Sequence, residues 1–367
     1  MNYRKIVKIF LVQVLLILVV SSALVIYVDP FFHYRKPNVN LFYNLDTGKE
    51  RYQNDGIIKH FDYDTIIIGT SMTENFKASE CDYIFQANTI KVPFSGGTYK
   101  EINDNIATAY RTEHELKNVI RSLDWHLHLV EDKNAMRDDL GAYPWYLYNY
   151  KCSDDVAYFI NKDTIKISAK VIKESFLKNK KGITTFDEYA NWNSEYNFGA
   201  KIVLKGRESY YAGDKVRSFS SNDEEILKGN IEQNVISLAR QHPETTFYYF
   251  FPPYSIAYWG ELKEKGEIDY TIAAEKIAIE MILTCPNIKL YSFNLKTDII
   301  TNLDNYKDTT HYGEWINSDI LKWMKNEDGL LTKENYLTYL QAERDFYSQF
   351  DYNSLFKNIS KVNWLCV

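Results

Sequence analysis

Apolar and polar residues alternate in three different rhythms along this chain, and each rhythm predicts a different kind of element. From Ile9 to Val28 every residue is apolar except Gln13, Ser21 and Ser22. As a helix rising about 1.5 Å per residue, that run spans roughly 30 Å, one bilayer core. Arg4, Lys5 and Lys8 stand before it, and Asp29-Pro30 ends it. The basic flank predicts a single span with a cytoplasmic amino terminus and an extracytoplasmic remainder. A cleaved signal peptide is the rival reading, because Ser21-Ser22-Ala23 offers small residues. The apolar run continues past them, however, and exceeds the usual length of a signal peptide's apolar region.

The second rhythm is a series of short β-branched or aromatic runs. Asp64-Thr65-Ile66-Ile67-Ile68-Gly69, which stops at a Gly followed by small polar residues, has the continuity of a strand buried on both faces. Comparable runs are Ile90 to Val92, Asn118 to Ile120 extending into Leu123, Thr246 to Phe251, and Ile288 to Phe293. The third rhythm is helical spacing, at Lys100 to Tyr110, Glu225 to Arg240, Ala273 to Leu283 and Glu314 to Met324. Strand alternating with helix predicts an α/β fold, a parallel sheet with helices on both faces. Residues 130–222, rich in Tyr, Trp, Lys and Asp, break the alternation and read as an aromatic-rich insertion over one end of the sheet. The expected organisation is a cytoplasmic tip and anchor over 1–30, a connector over 31–60, and an α/β domain over 61–326 carrying the insertion. A helical extension over 327–367 follows, with an amphipathic helix from Thr332 to Gln349 packed on the outside.

Composition narrows the function classes. A 45% hydrophobic content with only 8 Pro and 15 Gly excludes a disordered or collagenous chain. A net charge of −6 and the lack of a long basic stripe argue against nucleic acid as a partner. Cys81, Cys152, Cys285 and Cys366 form no C-x-x-C pair, so zinc-ribbon and thioredoxin readings fail. Outside the cell a disulfide is permitted, with pairing open, although Cys285 beside Pro286 reads as a buried small hydrophobe. Neither phosphate-cradling glycine motif is present, nor a zinc-protease signature, so no cofactor is expected. His126 and His128 have no carboxylate at metal-ligand spacing.

In parallel sheets, sites form in the loops after the strands. The loop after the first strand reads Gly69-Thr70-Ser71-Met72-Thr73-Glu74. A serine there has an exposed hydroxyl and a backbone N–H aimed at whatever that hydroxyl attacks. It also suits a helix N-cap, with Glu74 completing a capping box. Near the carboxyl end, Asp308-Thr309-Thr310-His311 puts a carboxylate three residues before an imidazole. A serine nucleophile needs a base, and the base needs a carboxylate to fix its tautomer, so this loop would supply both. A helix-start motif capped by Asp308 or Thr310 is the alternative.

Taken together, these loops resemble the SGNH or GDSL hydrolase superfamily. Gly69-Thr70-Ser71-Met72 is similar to its first block, with Thr for Asp and Met for Leu, and Asp308-Thr309-Thr310-His311 to its last. An amino-terminal anchor followed by Asp-Pro, a G-T-S block and a D-x-x-H-Y ending resembles the membrane-anchored DltD-type branch. The resemblance covers roughly residues 60–130 and 225–326. It implies a flavodoxin-like sheet, Ser71, Asp308 and His311 as catalytic residues, and an oxyanion hole built from the N–H groups of Ser71 and Gly96, the latter in Phe94-Ser95-Gly96-Gly97. The family's third block normally supplies an Asn donor, but this chain reads Leu123-Asp124-Trp125-His126. An ionised Asp accepts and cannot donate. Asp124 is therefore expected to bind a substrate hydroxyl, or else the oxyanion hole has backbone donors only. Phe250-Phe251-Pro252-Pro253-Tyr254 ends the fourth strand at the same edge, where Tyr254 could wall an acyl or sugar pocket.

The leading expectation is an extracytoplasmic serine esterase or O-acyltransferase acting on acyl groups of a cell-envelope polysaccharide. Its implied partners are an acylated glycan or acyl donor, the membrane, and a membrane-bound O-acyltransferase that delivers the acyl group. The alternative is a glycan-binding or scaffold protein that keeps the fold without the chemistry.

Overall fold

A computed structural model describes residues 3–46, 48–124, 128–149, 151, 153–211, 213 and 216–357. His126, Cys152 and Cys366 lie outside the described residues, whereas Cys81 and Cys285 are free, buried thiols. The chain divides into two compact units, one of residues 1–62 and 138–189 and one of residues 63–137 and 190–367. The stretch expected as a single insertion over 130–222 is thus shared between them: 138–189 belong with the amino-terminal segment, and 130–137 and 190–222 with the sheet.

In the first unit, one helix, Tyr3–Val28, is long and apolar enough to cross a membrane, and most of its residues are exposed. A signal sequence passes the same test. In its last turn Val25 and Val28 are buried, however, and Val25 packs against Phe31, Leu147 and Tyr158. Asp29 closes the helix. Its carboxylate accepts the backbone N–H groups of His33, Tyr34 and Arg35 at 2.9–3.2 Å and the Tyr158 hydroxyl at 2.7 Å. Arg35 donates to the Ile26 and Tyr27 carbonyls, both at 2.6 Å, partners that the end of a helix otherwise lacks. The backbone at Gly56 runs so close to Phe31 that a Cβ there would lie 2.1 Å from the Phe31 carbonyl oxygen. A short parallel pair, β1 (Phe42–Tyr43) with β5 (Gly182–Ile183), joins the two chain segments of this unit.

The second unit holds the main sheet: β2 (Thr65–Ile68), β3 (Thr89–Lys91), β4 (Asn118–Ser122), β6 (Thr246–Phe251), β7 (Ile288–Ser292) and β8 (Leu330–Leu331). Their order is β3-β2-β4-β6-β7-β8, parallel through β7, with β8 antiparallel at the edge. This is the doubly wound order, in which the chain reverses direction across the sheet between β2 and β4 and leaves a crevice at their carboxyl ends. The β8 edge was not visible in the sequence, because two leucines carry no periodicity.

The helices sort into two packed groups: Ala78–Phe85 with Glu314–Lys325, and Ser221–Ile231, Ile268–Ile282 and Tyr336–Gln349 in sequence of contact. The expected helix Glu225 to Arg240 is interrupted by a π turn at Glu232–Ile236. Within it the Asn234 carbonyl accepts the guanidinium of fully buried Arg121 at 2.6 Å. A widened turn at that point lets the buried cation find an acceptor that a regular helix would keep to itself.

Candidate active site

The loop after β2 begins at Gly69, whose φ of 157° sits where the chain presses on β4. A Cβ there would come 2.3 Å from the Ser122 hydroxyl, so a side chain would force the two strand ends apart. Thr70 then caps a short turn, Ser71–Thr73, by accepting the Met72 N–H at 3.4 Å, and its carbonyl accepts the Thr73 N–H at 3.0 Å. The capping role is Thr70's. Ser71 instead extends its Oγ to within 2.8 Å of His311 Nε2. Asn317 donates to the Met72 carbonyl at 3.0 Å and ties the turn to the helix that follows His311.

On the facing loop, Asp308 Oδ1 accepts the backbone N–H groups of Thr310 at 2.9 Å and His311 at 2.7 Å, and Oδ2 lies 2.8 Å from His311 Nδ1. A carboxylate facing Nδ1 places the ring proton there and leaves the Nε2 lone pair for the serine hydroxyl. What burial Asp308 has would raise its carboxyl. The imidazole and the two backbone N–H groups together outweigh that and hold it well below the usual carboxylate range. The loop is braced by the Ser255 hydroxyl, which donates to the Thr309 carbonyl at 2.7 Å, and by the Lys307 N–H, which donates to the His311 carbonyl at 3.0 Å. Ser71, Asp308 and His311 are thus brought into one hydrogen-bonded chain from positions 237 or more residues apart in the Ser71-to-Asp308 sense of the sequence.

Gly96 lies in the turn after β3, docked on the Ser71 loop by a Phe94 N–H donated to the Gly69 carbonyl at 2.8 Å. Its φ of 59° and an Arg137 guanidinium 2.6 Å from its carbonyl oxygen explain the glycine, since a Cβ would meet that guanidinium at 2.2 Å. Among the described residues no protein acceptor takes the N–H of Ser71 or of Gly96.

Asp124 and Tyr254 depart from expectation. Asp124 is 3% exposed and accepts the Ser122 hydroxyl at 2.7 Å and the Tyr254 hydroxyl at 2.8 Å. Tyr254 is equally buried, and burial, with the Asp124 charge beside it, pushes its hydroxyl well above the ordinary tyrosine range. The two side chains expected to meet a substrate bond each other. Their spacing of 130 residues gave the sequence no means of pairing them. His128 is buried against Glu131 at 3.2 Å, and no group of side chains suited to a metal ion occurs among the described residues.

Sequence reasoning passed over two residues beside the site. Trp192 meets the His311 ring edge to face at 5.7 Å, held by its backbone N–H, which donates to Asn75 Oδ1 at 3.1 Å. Lys307 lies against Trp192. Trp192 was hidden in a stretch matching no pattern, whereas Lys307 directly precedes Asp308 and could have been found by proximity. A cavity of about 470 Å³ is lined by Asp308, Thr309 and Thr310 together with Tyr258, Glu261 and Tyr270. It has the volume of a ligand pocket, but neither Ser71 nor His311 lines it, so it opens onto Asp308 rather than onto Ser71.

No family model matches this chain, and no curated protein does. Among solved structures, a protein of Streptococcus pneumonia described as a candidate platelet activating factor is similar over 76% of this chain and 91% of its own, at 10% identity and a TM-score of 0.36. At that score the two chains need not share a fold.

Proposed function

We propose that this protein is a membrane-anchored, extracytoplasmic serine esterase or O-acyltransferase that acts on acyl groups of a cell-envelope polysaccharide. The observation that carries the reading is the unbroken chain from Ser71 Oγ through His311 to Asp308, with both links at 2.8 Å. Ser71 gives its proton to His311 Nε2 as Oγ bonds to the acyl carbon. The imidazolium then returns that proton to the departing alkoxide oxygen, and an acyl-enzyme is left. Water or a sugar hydroxyl completes the cycle by the same steps in reverse, with the acyl–Oγ bond breaking. The N–H groups of Ser71 and Gly96 are the donors for the oxyanion, and Asp124, an acceptor that takes the Tyr254 hydroxyl, adds none.

The anchoring half of the reading rests on the exposed apolar helix Tyr3–Val28 and the basic residues before it. A membrane-bound O-acyltransferase supplying the acyl group is the partner this reading calls for. The test is a fluorophosphonate probe on the purified full chain. Labelling at Ser71, absent in Ser71→Ala, supports the acyl-serine enzyme, whereas a folded but unlabelled protein favours the glycan-binding scaffold. Retention of the full-length chain in carbonate-washed membranes tests the anchor, and soluble protein starting near Leu24 would establish a signal peptide.

A further inference from the structure

Lys307 has an unusual setting. Its ammonium lies 3.8 Å from the ring centroid of Trp192 and 3.7 Å from that of Tyr196. The Trp192 ring is also the one that meets His311, so the cation stands one ring away from the base beside Ser71. Glu74, Glu195 and Asp308 are the acidic groups whose fields reach it, yet among the described residues none makes an ion pair with it. Burial outweighs those fields and holds the ammonium below the ordinary lysine range. A half-buried cation that lies against two aromatic faces and makes no ion pair among the described residues is under-compensated in a chain of net charge −6.

Its position is also fixed relative to the nucleophile. Lys307 and His311 share one hairpin, closed by the Lys307 N–H to His311 carbonyl bond, and Trp192 is tied to Asn75, four residues after Ser71. Tyr196 is 50% exposed, so solvent and ligands reach this cluster. We propose that Lys307, Trp192 and Tyr196 form a subsite for an anionic group, carboxylate or phosphate, that the ester substrate carries near its scissile acyl bond. The rings hold the lysine in place and offer an apolar face to the substrate, and the ammonium supplies the charge that selects it. This inference rests on the acyl-serine reading for its catalytic meaning, and its binding arm stands apart from it.

The experiment uses the full chain in detergent and two matched pairs of esters: O-acetylated galacturonate against its methyl ester, and O-acetylglycerol phosphate against O-acetylglycerol. The anionic member of at least one pair should be turned over with a kcat/KM about tenfold higher, mostly through KM, with the preference falling as salt rises. The pair that responds tells carboxylate from phosphate. Lys307→Gln should cost the anionic ester about tenfold more than its neutral partner, and Lys307→Arg should restore most of the preference. Equal losses on both members, or a native enzyme blind to charge, overturns the proposal. Calorimetric binding of the same esters to Ser71→Ala separates the two readings. Charge-selective binding that needs Lys307, without turnover by the native chain, keeps the subsite and removes the enzyme, and turnover without charge preference does the reverse.

Discussion

Asp29 and Asp308 perform the same local operation to opposite ends. Each carboxylate gathers backbone N–H groups from the residues just after it, and each takes one further partner from a side chain: the Tyr158 hydroxyl for Asp29, the His311 ring for Asp308. Asp29 is 2% exposed, and its side-chain partner is a phenol that also accepts from the Phe31 N–H, so every group is committed to holding the helix end. The Asp308 side chain is 47% exposed, and its partner has a second nitrogen pointing away, at the hydroxyl of Ser71. A turn carboxylate becomes chemical machinery when the group it orients keeps one end free.

That contrast can be broken in order of size. Removing the free end has the largest effect: Ser71→Ala and His311→Ala should each lower kcat on a small acetyl ester by about 10⁴ to 10⁶, with the double variant little worse than either. Melting should scarcely move, and a folded Ser71→Ala protein of undiminished activity would end the assignment. Asp308→Asn should cost less, about 10² to 10⁴ in kcat, because the base remains but its tautomer is no longer enforced. Asp29→Ala should act on stability instead, at about 3 kcal/mol, because it strands buried donors. Limited proteolysis between residues 30 and 60 reads that effect, and Asp308→Asn should leave the digestion pattern as it is.

A third carboxyl setting, in which acids face one another, is read through pH and leaves Ser71 untouched. Glu275 and Glu343, both buried, share the Asn294 amide at 3.0 and 2.7 Å between the helices Ile268–Ile282 and Tyr336–Gln349. Burial, and for Glu275 the neighbouring acid as well, raises both carboxyls, Glu343 to about 8. The folded chain therefore keeps a proton that the unfolded chain releases near pH 4.3, the ordinary glutamate value of about that size. Stability should fall as pH rises from there to about 8, with a slope of up to about 1.4 kcal/mol per unit for one proton. Glu343→Gln should flatten that decline in melts taken at pH 5 and pH 8, and an unchanged slope would assign the decline to other groups.

The legible parts of the molecule were those in which local sequence carries the physics. Thr246–Phe251 is a strand because six aromatic or β-branched residues in a row leave no other burial geometry, and its bounds agree with the reading. Ser71 and Asp308-x-x-His311 stood out because nucleophile chemistry restricts which residue types can follow a strand. The partners of Asp124 and Trp192 were illegible for the opposite reason. Each is set by a contact across more than a hundred residues, and neither side of the pair announces the other. The reading of 31–60 as a connector missed its content, since Glu50–His60 is a largely buried helix whose polar residues Gln53, Asn54 and Asp55 mask it as surface.

The Arg35 contacts at the helix end have a mechanical meaning. A span that ran into a loose tether would let the folded residues beyond it swivel and drift from the bilayer surface. Here the last carbonyls are gripped by Arg35, the next residues are wound about Asp29, and Val25 is already part of a packed core. The rod and the first folded unit therefore turn as one rigid lever. On the anchored reading, a tilt imposed on Tyr3–Val28 by lipid thickness would pass into the first unit.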